Sequence, residues 1–253
     1  MAKIRINGKD VEAKEGETIL QCARREGIHI PTLCHHDALK PYGGCRLCVV
    51  EIRNAGKGRL VSSCRYRVEE GLDIDTESGK VKSARKLVAE LLLIDGKDVP
   101  RLKEIAKEVG VKRNKRFNAK NEACILCGLC IRACREIVGV SAIDYAGRGY
   151  GKKVATPYFK KSSACIGCGT CFYICPTGAV KLHDIEKGEE GKVDDREKIS
   201  GPARIIENWK AGFEMATCTK CGRAIGPSAV IDFIKLKTKA KEDVTEVCFM
   251  CRE

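Results

Sequence analysis

Cys124-Ile125-Leu126-Cys127-Gly128-Leu129-Cys130, followed by Cys134, recurs as Cys165-Ile166-Gly167-Cys168-Gly169-Thr170-Cys171, followed by Cys175-Pro176-Thr177-Gly178-Ala179. Each copy reads C-x2-C-x2-C-x3-C. Three thiolates this close on one tight loop cover one face of an iron–sulfur cube and leave the fourth ligand to come from elsewhere. In two-cluster ferredoxins the fourth cysteine of each run ligates the other cluster. The repeat therefore assigns one [4Fe–4S] cluster to Cys124, Cys127, Cys130 and Cys175, and the other to Cys165, Cys168, Cys171 and Cys134. Zinc sites usually pair their cysteines two by two, which these triplets do not. Gly128 and Gly169 fit places where backbone comes close to inorganic sulfide. Arg135 stands where the second copy has Pro176, a change that removes no ligand.

Outside the repeat, cysteine still dominates the chemistry. The 253-residue chain has 17 cysteines but only 5% aromatic residues. The opening Met1–Gly8 has no apolar stretch of signal-peptide type, and the run Leu91–Ile94 is far too short to cross a membrane. Metal-bound thiolates in a reducing cytoplasm, without membrane insertion, are therefore expected rather than a disulfide scaffold. The formal charge of +13 counts each thiol as neutral. Four four-thiolate sites at roughly −2 each would bring it to about +5. With few aromatics for base stacking and no recognition-helix pattern, nucleic acid is not an expected partner.

Residues 1–77 read as a small mixed sheet with one helix. Strands Lys3–Ile6 and Asp10–Ala13 join through Asn7-Gly8, Thr18 caps a helix Ile19–Glu26 that Gly27 ends, and strand-like runs follow at Cys48–Arg53 and Leu60–Ser62. Residues 78–120 read as a helical linker. A helix opened by Ser78-Gly79 runs through Ile94 with Leu87, Val88, Leu91 and Leu92 on one face; a second runs from Pro100 to Gly110; the basic run Lys112–Arg116 reads as a solvated connector. After the dicluster region at 121–184, residues 185–253 read as a charged linker to residue 200, a helical segment from 201, and a four-cysteine module with a helix after Ser228.

That module carries Cys218, Cys221, Cys248 and Cys251, two C-x-x-C knuckles separated by 26 residues. The pairing favours a closed tetrahedral zinc site, with a further iron–sulfur cluster as the competitor. Gly147-Arg148-Gly149-Tyr150-Gly151 has no strand-to-helix context and reads as a turn rather than a phosphate loop. Cys22, among Ile19, Leu20 and Ala23, reads as a small core residue.

The remaining cysteines, Cys34, Cys45, Cys48 and Cys64, are spaced C-x10-C-x2-C-x15-C, unlike the plant-type C-x4-C opening. The stretch Thr18-Ile19-Leu20-Gln21-Cys22-Ala23 through Ile30-Pro31-Thr32-Leu33-Cys34-His35-His36, with Gly44-Cys45-Arg46-Leu47-Cys48-Val49-Val50-Glu51, resembles the N-terminus of the large peripheral iron–sulfur subunit of respiratory complex I. It is similar also to the diaphorase iron–sulfur subunit of NAD-reducing hydrogenases and to the electron-transfer parts of iron-only hydrogenases and formate dehydrogenases. The resemblance covers about residues 3–182. It implies an α+β chain in which a β-grasp domain holds one [2Fe–2S] cluster on Cys34, Cys45, Cys48 and Cys64, ahead of a ferredoxin-like domain with two [4Fe–4S] clusters. His35 and His36 suggest a Rieske-type pair, but four cysteines at fitting spacing leave them no role as ligands.

The resemblance also implies a role. Such subunits carry electrons inside anaerobic or respiratory oxidoreductases of NAD(P)-linked, including electron-bifurcating, type, such as hydrogenase, formate or aldehyde dehydrogenase. One partner would bind flavin and NAD(P)H and another would oxidise the substrate; this chain has no catalytic residues of its own. Many relatives hold an additional cluster on one histidine and three cysteines in the region of residues 78–120, where this chain has neither residue type. Electrons then pass from the [2Fe–2S] centre directly to a [4Fe–4S] centre, through a partner's centre, or along a separate branch. A free-standing polyferredoxin shuttle is the rival reading, and a redox-sensing regulator, for which no effector element is visible, is the third.

Overall fold

The computed structural model describes residues 2–54, 56–112, 122–238 and 245–252, which divide into two compact units, Met1–Leu129 and Cys130–Glu253. The basic run from Arg113 to Arg116 lies outside the described residues.

The first unit opens with β1 (Ala2–Ile6) and β2 (Lys9–Ala13), whose register pairs Ile4 with Val11 across an Asn7-Gly8 turn. Both turn residues have positive φ, which a type I′ hairpin turn requires. Alternation places Ile4, Ile6, Val11 and Ala13 inward. Helix α1 (Ile19–Arg25) starts with a capping box: Thr18 Oγ1 accepts from the Gln21 N–H at 3.3 Å, and Gln21 Oε1 accepts from the Thr18 N–H at 2.9 Å. Its face of Ile19, Leu20, Cys22 and Ala23 is buried against the sheet, so Cys22 is a core residue. Strands β3 (Val49–Ile52), β4 (Arg59–Ser62) and β5 (Asp73–Asp75) complete a five-stranded sheet ordered β2-β1-β5-β3-β4. β1 and β5 are parallel and the other pairs antiparallel, which gives the mixed sheet with a helix across it that the resemblance implies.

Two helices follow, α2 (Gly79–Asp95) and α3 (Pro100–Glu108). Ser78 Oγ caps α2 by accepting from the Val81 N–H. The inward stripe of α2 differs from the expected one: Val81, Arg85, Ala89 and Leu93 are buried, whereas Leu87 and Leu91 are exposed. The i, i+4 row that faces inward contains a charged residue, Arg85, which hydropathy assigns to solvent. Its guanidinium donates to the Val49 carbonyl at 2.9 Å, so the helix is oriented by a polar contact as well as by apolar area.

Helix α4 (Leu129–Arg132), which begins at the last residue of the first unit, runs on into a wider helical turn, Ala133–Val138, that ends at the left-handed Gly139. Arg135 in place of a proline allows this continuation and pairs with Asp144 at 2.9 Å. The hairpin β6 (Asp144–Ala146) and β7 (Lys153–Ala155) spans the glycine-rich stretch, whose Gly149–Gly151 is a single 3-10 turn. Helix α5 (Thr170–Tyr173) stops ahead of Pro176. The segment expected as linker and helix is mostly strand: β8 (Leu182–Ile185), β9 (Glu190–Lys192), β10 (Lys198–Ser200), β11 (Ala203–Ile206), β12 (Ala211–Thr217) and β13 (Ala224–Pro227). An antiparallel sheet β13-β12-β11-β8 and a two-stranded ribbon β10-β9 result. The reason is a buried face: Ala203, Ile205, Ile206, Ala211 and Phe213 are enclosed, and β-branched residues fit a pleated, packed surface. Gly191 belongs to the same arrangement, because a Cβ there would run into Ile205 Cδ1. Helix α6 (Ser228–Thr238) follows β13, as expected after Ser228.

Candidate metal centres

Cys34, Cys45, Cys48 and Cys64 meet in the first unit. The loop before β3 supplies the first three, and the turn after β4 supplies Cys64. Two N–H groups at the start of α1 hold that turn, Ile19 to the Tyr66 carbonyl at 3.0 Å and Leu20 to the Ser63 carbonyl at 3.1 Å. Ser63 fixes the two sides of the site together, its N–H and Oγ both donating to the Cys48 carbonyl, at 3.1 and 2.7 Å. The Cys45 N–H donates to Cys34 Sγ at 3.3 Å. The four thiols are close enough to influence one another, Cys45 most strongly through Cys34 and Cys64 most strongly through Cys48. The Cys64 thiol, sharing a proton, brings Cys48 down to about 6, while Cys45 and Cys64 are pushed up by their partner thiols and by burial. His35 bonds to Asp37 at 3.0 Å, and His36 Nδ1 accepts from the Ala38 N–H at 3.2 Å, so both rings engage their own turn.

Of the first repeat copy, Cys124 and Cys127 lie in the first unit and Cys130 in the second. The Cys124 loop rests on an apolar cluster made by Leu33, Leu47, Ala89, Leu93, Val99, Leu102, Ile105 and Ala106, against which Cys45, Ala123 and Ile125 also pack. Cys45 and the residues flanking Cys124 therefore share one apolar body. The repeat is visible in the backbone too: Leu126 and Gly128 have φ of 53° and 72°, their counterparts Gly167 and Gly169 71° and 77°. The left-handed conformation accounts for these glycines directly, and Leu126 adopts it without being glycine.

In the second unit, Cys134, Cys165, Cys168 and Cys171 line a single cavity with Val138, Ile143, Ile206 and Trp209. The four expected ligands thus surround one apolar-walled space. Donors converge on the sulfurs: the Ala142 N–H on Cys134 at 3.2 Å, Trp209 Nε1–H on Cys171 at 3.4 Å, and Thr170 Oγ1 beside Cys168 at 3.3 Å. Burial pushes the Cys171 thiol up to about 11 against the pull of the Trp209 bond. Cys175 belongs to the same apolar cluster but not to that cavity lining. Burial works to raise it, but donors from Thr177, Val180 and Ala179 leave it below the ordinary thiol value. A donor set of soft thiolates with N–H groups aimed at sulfur fits iron–sulfur clusters. Among the described residues no disulfide competes for these thiols.

The C-terminal thiols of Cys218, Cys221, Cys248 and Cys251 all lie within 4.8 Å of one another, with Cys221 Sγ and Cys248 Sγ 3.6 Å apart. Strand β12 delivers Cys218, and the knuckle closes through Gly222 N–H to the Cys218 carbonyl at 2.8 Å and Cys218 N–H to the Arg223 carbonyl at 2.8 Å. The Cys248 N–H donates to Cys218 Sγ at 3.3 Å, and this bond first among the causes brings the Cys218 thiol down to about 6. Neighbouring thiols of Cys221 and Cys248 push Cys251 up to about 12.

Two residues that cysteine spacing does not point to, Trp209 and Arg204, reach the loop of Cys165–Cys171. Trp209 is the chain's single tryptophan, and with so few aromatics its placement is a signal available in the composition. Arg204 donates to the Gly167 carbonyl at 3.3 Å while held by Asp184 at 2.7 and 2.8 Å.

Comparison with known proteins agrees with this division. Residues 1–79 match the 2Fe-2S iron-sulfur cluster binding domain, and residues 123–179 the 4Fe-4S dicluster domain. The NADH-ubiquinone oxidoreductase 75 kDa subunit of Reclinomonas americana is 31% identical over 204 residues, covering 71% of this chain and 29% of that protein. A subunit of the NADH-quinone oxidoreductase of Rickettsia typhi is 32% identical over 204 residues, covering 71% and 30%. The chain thus spans less than a third of the length of these relatives. A chain in the crystal structure of an NAD+-reducing [NiFe]-hydrogenase in the H2-reduced state superposes with a TM-score of 0.59 at 26% identity, covering 70% of this chain and 86% of that one. Among the described residues no helix is long and apolar enough to cross a membrane. From its two matched domains, their order and these homologues, the chain is an iron–sulfur electron-transfer protein related to the 75 kDa component of NADH-ubiquinone oxidoreductase and to NAD+-reducing hydrogenase.

Proposed function

We propose that the chain is the wiring subunit of a multi-subunit, NAD(P)-linked oxidoreductase in the cytoplasm, carrying single electrons between a flavin- and NAD(P)-binding partner and a substrate-oxidising partner. The observation that carries this is the apolar body shared by Cys45 and the residues flanking Cys124. It supports direct exchange between the [2Fe–2S] centre on Cys34, Cys45, Cys48 and Cys64 and the [4Fe–4S] centre on Cys124, Cys127, Cys130 and Cys175, with the second [4Fe–4S] centre on Cys134, Cys165, Cys168 and Cys171. Iron–sulfur clusters supply the one-electron steps that connect a two-electron flavin to a distant site. The partner types follow the relatives, whose names pair this kind of chain with NADH, quinone and NAD+-dependent hydrogen chemistry.

The C-terminal site is assigned to one zinc ion. With Zn–S near 2.3 Å, a tetrahedral site has an S···S edge of about 3.8 Å, and the 3.6 Å between Cys221 and Cys248 supports a single ion. A four-iron cluster would spread its thiolates over four metals and hold them farther apart.

Anaerobic purification of the untagged protein from its host tests the main reading. Co-elution with a flavin- and NAD(P)-binding chain through gel filtration is the expected result. A stable monomer with its clusters intact would instead identify a soluble shuttle.

A further inference from the structure

The dicluster match ends at residue 179, yet the cavity lined by Cys134, Cys165, Cys168 and Cys171 is walled partly by Ile206 and Trp209, which come from the C-terminal sheet. Trp209 ends the 3-10 turn Glu207–Trp209 between β11 and β12 and is 3% exposed. Its indole N–H, which can only donate, points at Cys171 Sγ from 3.4 Å in a buried contact. Four residues later, Phe213 lies over the cluster loop so closely that a Cβ on Gly167 would come within 2.7 Å of its ring. Arg204, anchored by Asp184, grips the Gly167 carbonyl from β11. The extension thus forms a fitted cover over one cysteine set, with the Trp209 side-chain N–H directed at sulfur.

Resting on the reading of these cysteines as [4Fe–4S] ligands, we propose that the C-terminal sheet is the lid of this centre and that Trp209 is the residue that sets its reduction potential. An electron added to the centre increases the negative charge on its thiolates. A buried donor to one of them becomes stronger in the reduced state, because hydrogen bonds to charged groups strengthen with the charge and are weakly screened in the interior. Hydrogen bonds to the sulfurs are among the established determinants of cluster potentials. The Trp209 N–H therefore favours reduction and makes this centre a better electron acceptor than its cysteines alone would. Trp209 acts through Cys171 and is a positioning residue.

The test is an EPR-monitored redox titration of the anaerobically purified full-length holoprotein and its Trp209→Phe variant, which keeps a ring but loses the N–H. The midpoint of one [4Fe–4S] signal falls by about a tenfold change in the reduction equilibrium, ~59 mV for one electron, while the [2Fe–2S] and other [4Fe–4S] midpoints stay in place. An unchanged midpoint, or equal shifts in all centres, overturns the proposal. Should the variant lose iron, the unaltered protein decides: with the lone tryptophan labelled by indole 15N, hyperfine spectroscopy of the reduced protein shows 15N coupling to one [4Fe–4S] spin. Absence of that coupling overturns the proposal as well. Absence of any [4Fe–4S] signal would defeat the ligand reading itself and so separates the two failures.

Discussion

Removing the C-terminal metal should unfold the knuckle module and leave the N-terminal sheet intact. Among the described residues from Cys218 to Arg252, only Cys218, Pro227, Thr245 and Cys248 are buried, and α6 contributes no buried residue. A fully buried Leu, Ile or Phe side chain contributes roughly 1.5–3 kcal/mol, and none of these four is such a residue. A structural zinc ion supplies about 10–16 kcal/mol to a small metal-dependent fold, as much as holds together an ordinary whole domain. A metal held there would be the dominant stabilising term, and the cross-links Thr219 N–H to the Glu246 carbonyl and Cys248 N–H to Cys218 Sγ should not survive its loss. Chelation of the purified protein, followed by hydrogen–deuterium exchange with mass spectrometry, measures this. Protection across Ser228–Thr238 and at the two knuckles is expected to vanish, while β1, β3 and α1 exchange as before. Cys221→Ser, at the exposed ligand, should reproduce the change in part. Retained protection across α6 after quantitative metal removal would refute the reasoning, because the module would then own a core that its burial pattern does not show.

The same site makes metal affinity depend on pH. Cys251, pushed up to about 12, must lose a proton to bind, whereas Cys218, near 6, is already a thiolate at neutral pH. Chelator competition should show apparent affinity rising at least tenfold per pH unit between pH 7 and 9, and more steeply below pH 6, where Cys218 must also deprotonate. Leu126 sits at φ 53°, a conformation costing a non-glycine residue roughly 1–2 kcal/mol. Glycine's extra chain entropy offsets about 0.5–1 kcal/mol, so Leu126→Gly should be neutral or slightly stabilising in denaturant-induced iron loss. Gly167→Ala, which adds a Cβ 2.7 Å from the Phe213 ring, should be clearly worse; equal losses in the two variants would contradict the backbone argument. Direct exchange between the [2Fe–2S] centre and the Cys124 set predicts spin coupling when both are reduced, seen as broadening and faster relaxation of the [2Fe–2S] EPR signal. A narrow signal unaffected by further reduction would rule that route out.

Legibility in the sequence follows the range of the interaction involved. Cysteine spacing and the Asn7-Gly8, Thr18 and Ser78 signals act over a few residues, and the hairpin and helices marked by the last three are present where expected. The buried face of α2 departs from its hydropathy because Arg85 points inward to a carbonyl on β3, a partner that is 36 residues away in sequence. The stretch 185–217 resembles charged linker and helix because its strands carry many lysines and acids on their outer faces. Its apolar residues make sense only once β11 is registered between β8 and β12, with Arg204 opposite Asp184 on one side and Phe213 on the other. Trp209 is hidden for the same reason, since its significance depends on a sulfur 38 residues earlier.

Residues 78–112, which have neither cysteine nor histidine, are organised by α2 and α3. That segment supports the loop carrying Cys124 with apolar area. Leu93, Val99, Leu102, Ile105 and Ala106 form the body to which Leu33 and Leu47, the neighbours of Cys34 and Cys48, also belong. A rigid packed interior fixes what touches it, since interiors are dense and resist displacement. The helices thus hold the loop of Cys34–Cys48 and the residues flanking Cys124 at a constant separation. A flexible linker would keep the connection but not the distance. A constant distance between these loops is what the direct exchange proposed above would need.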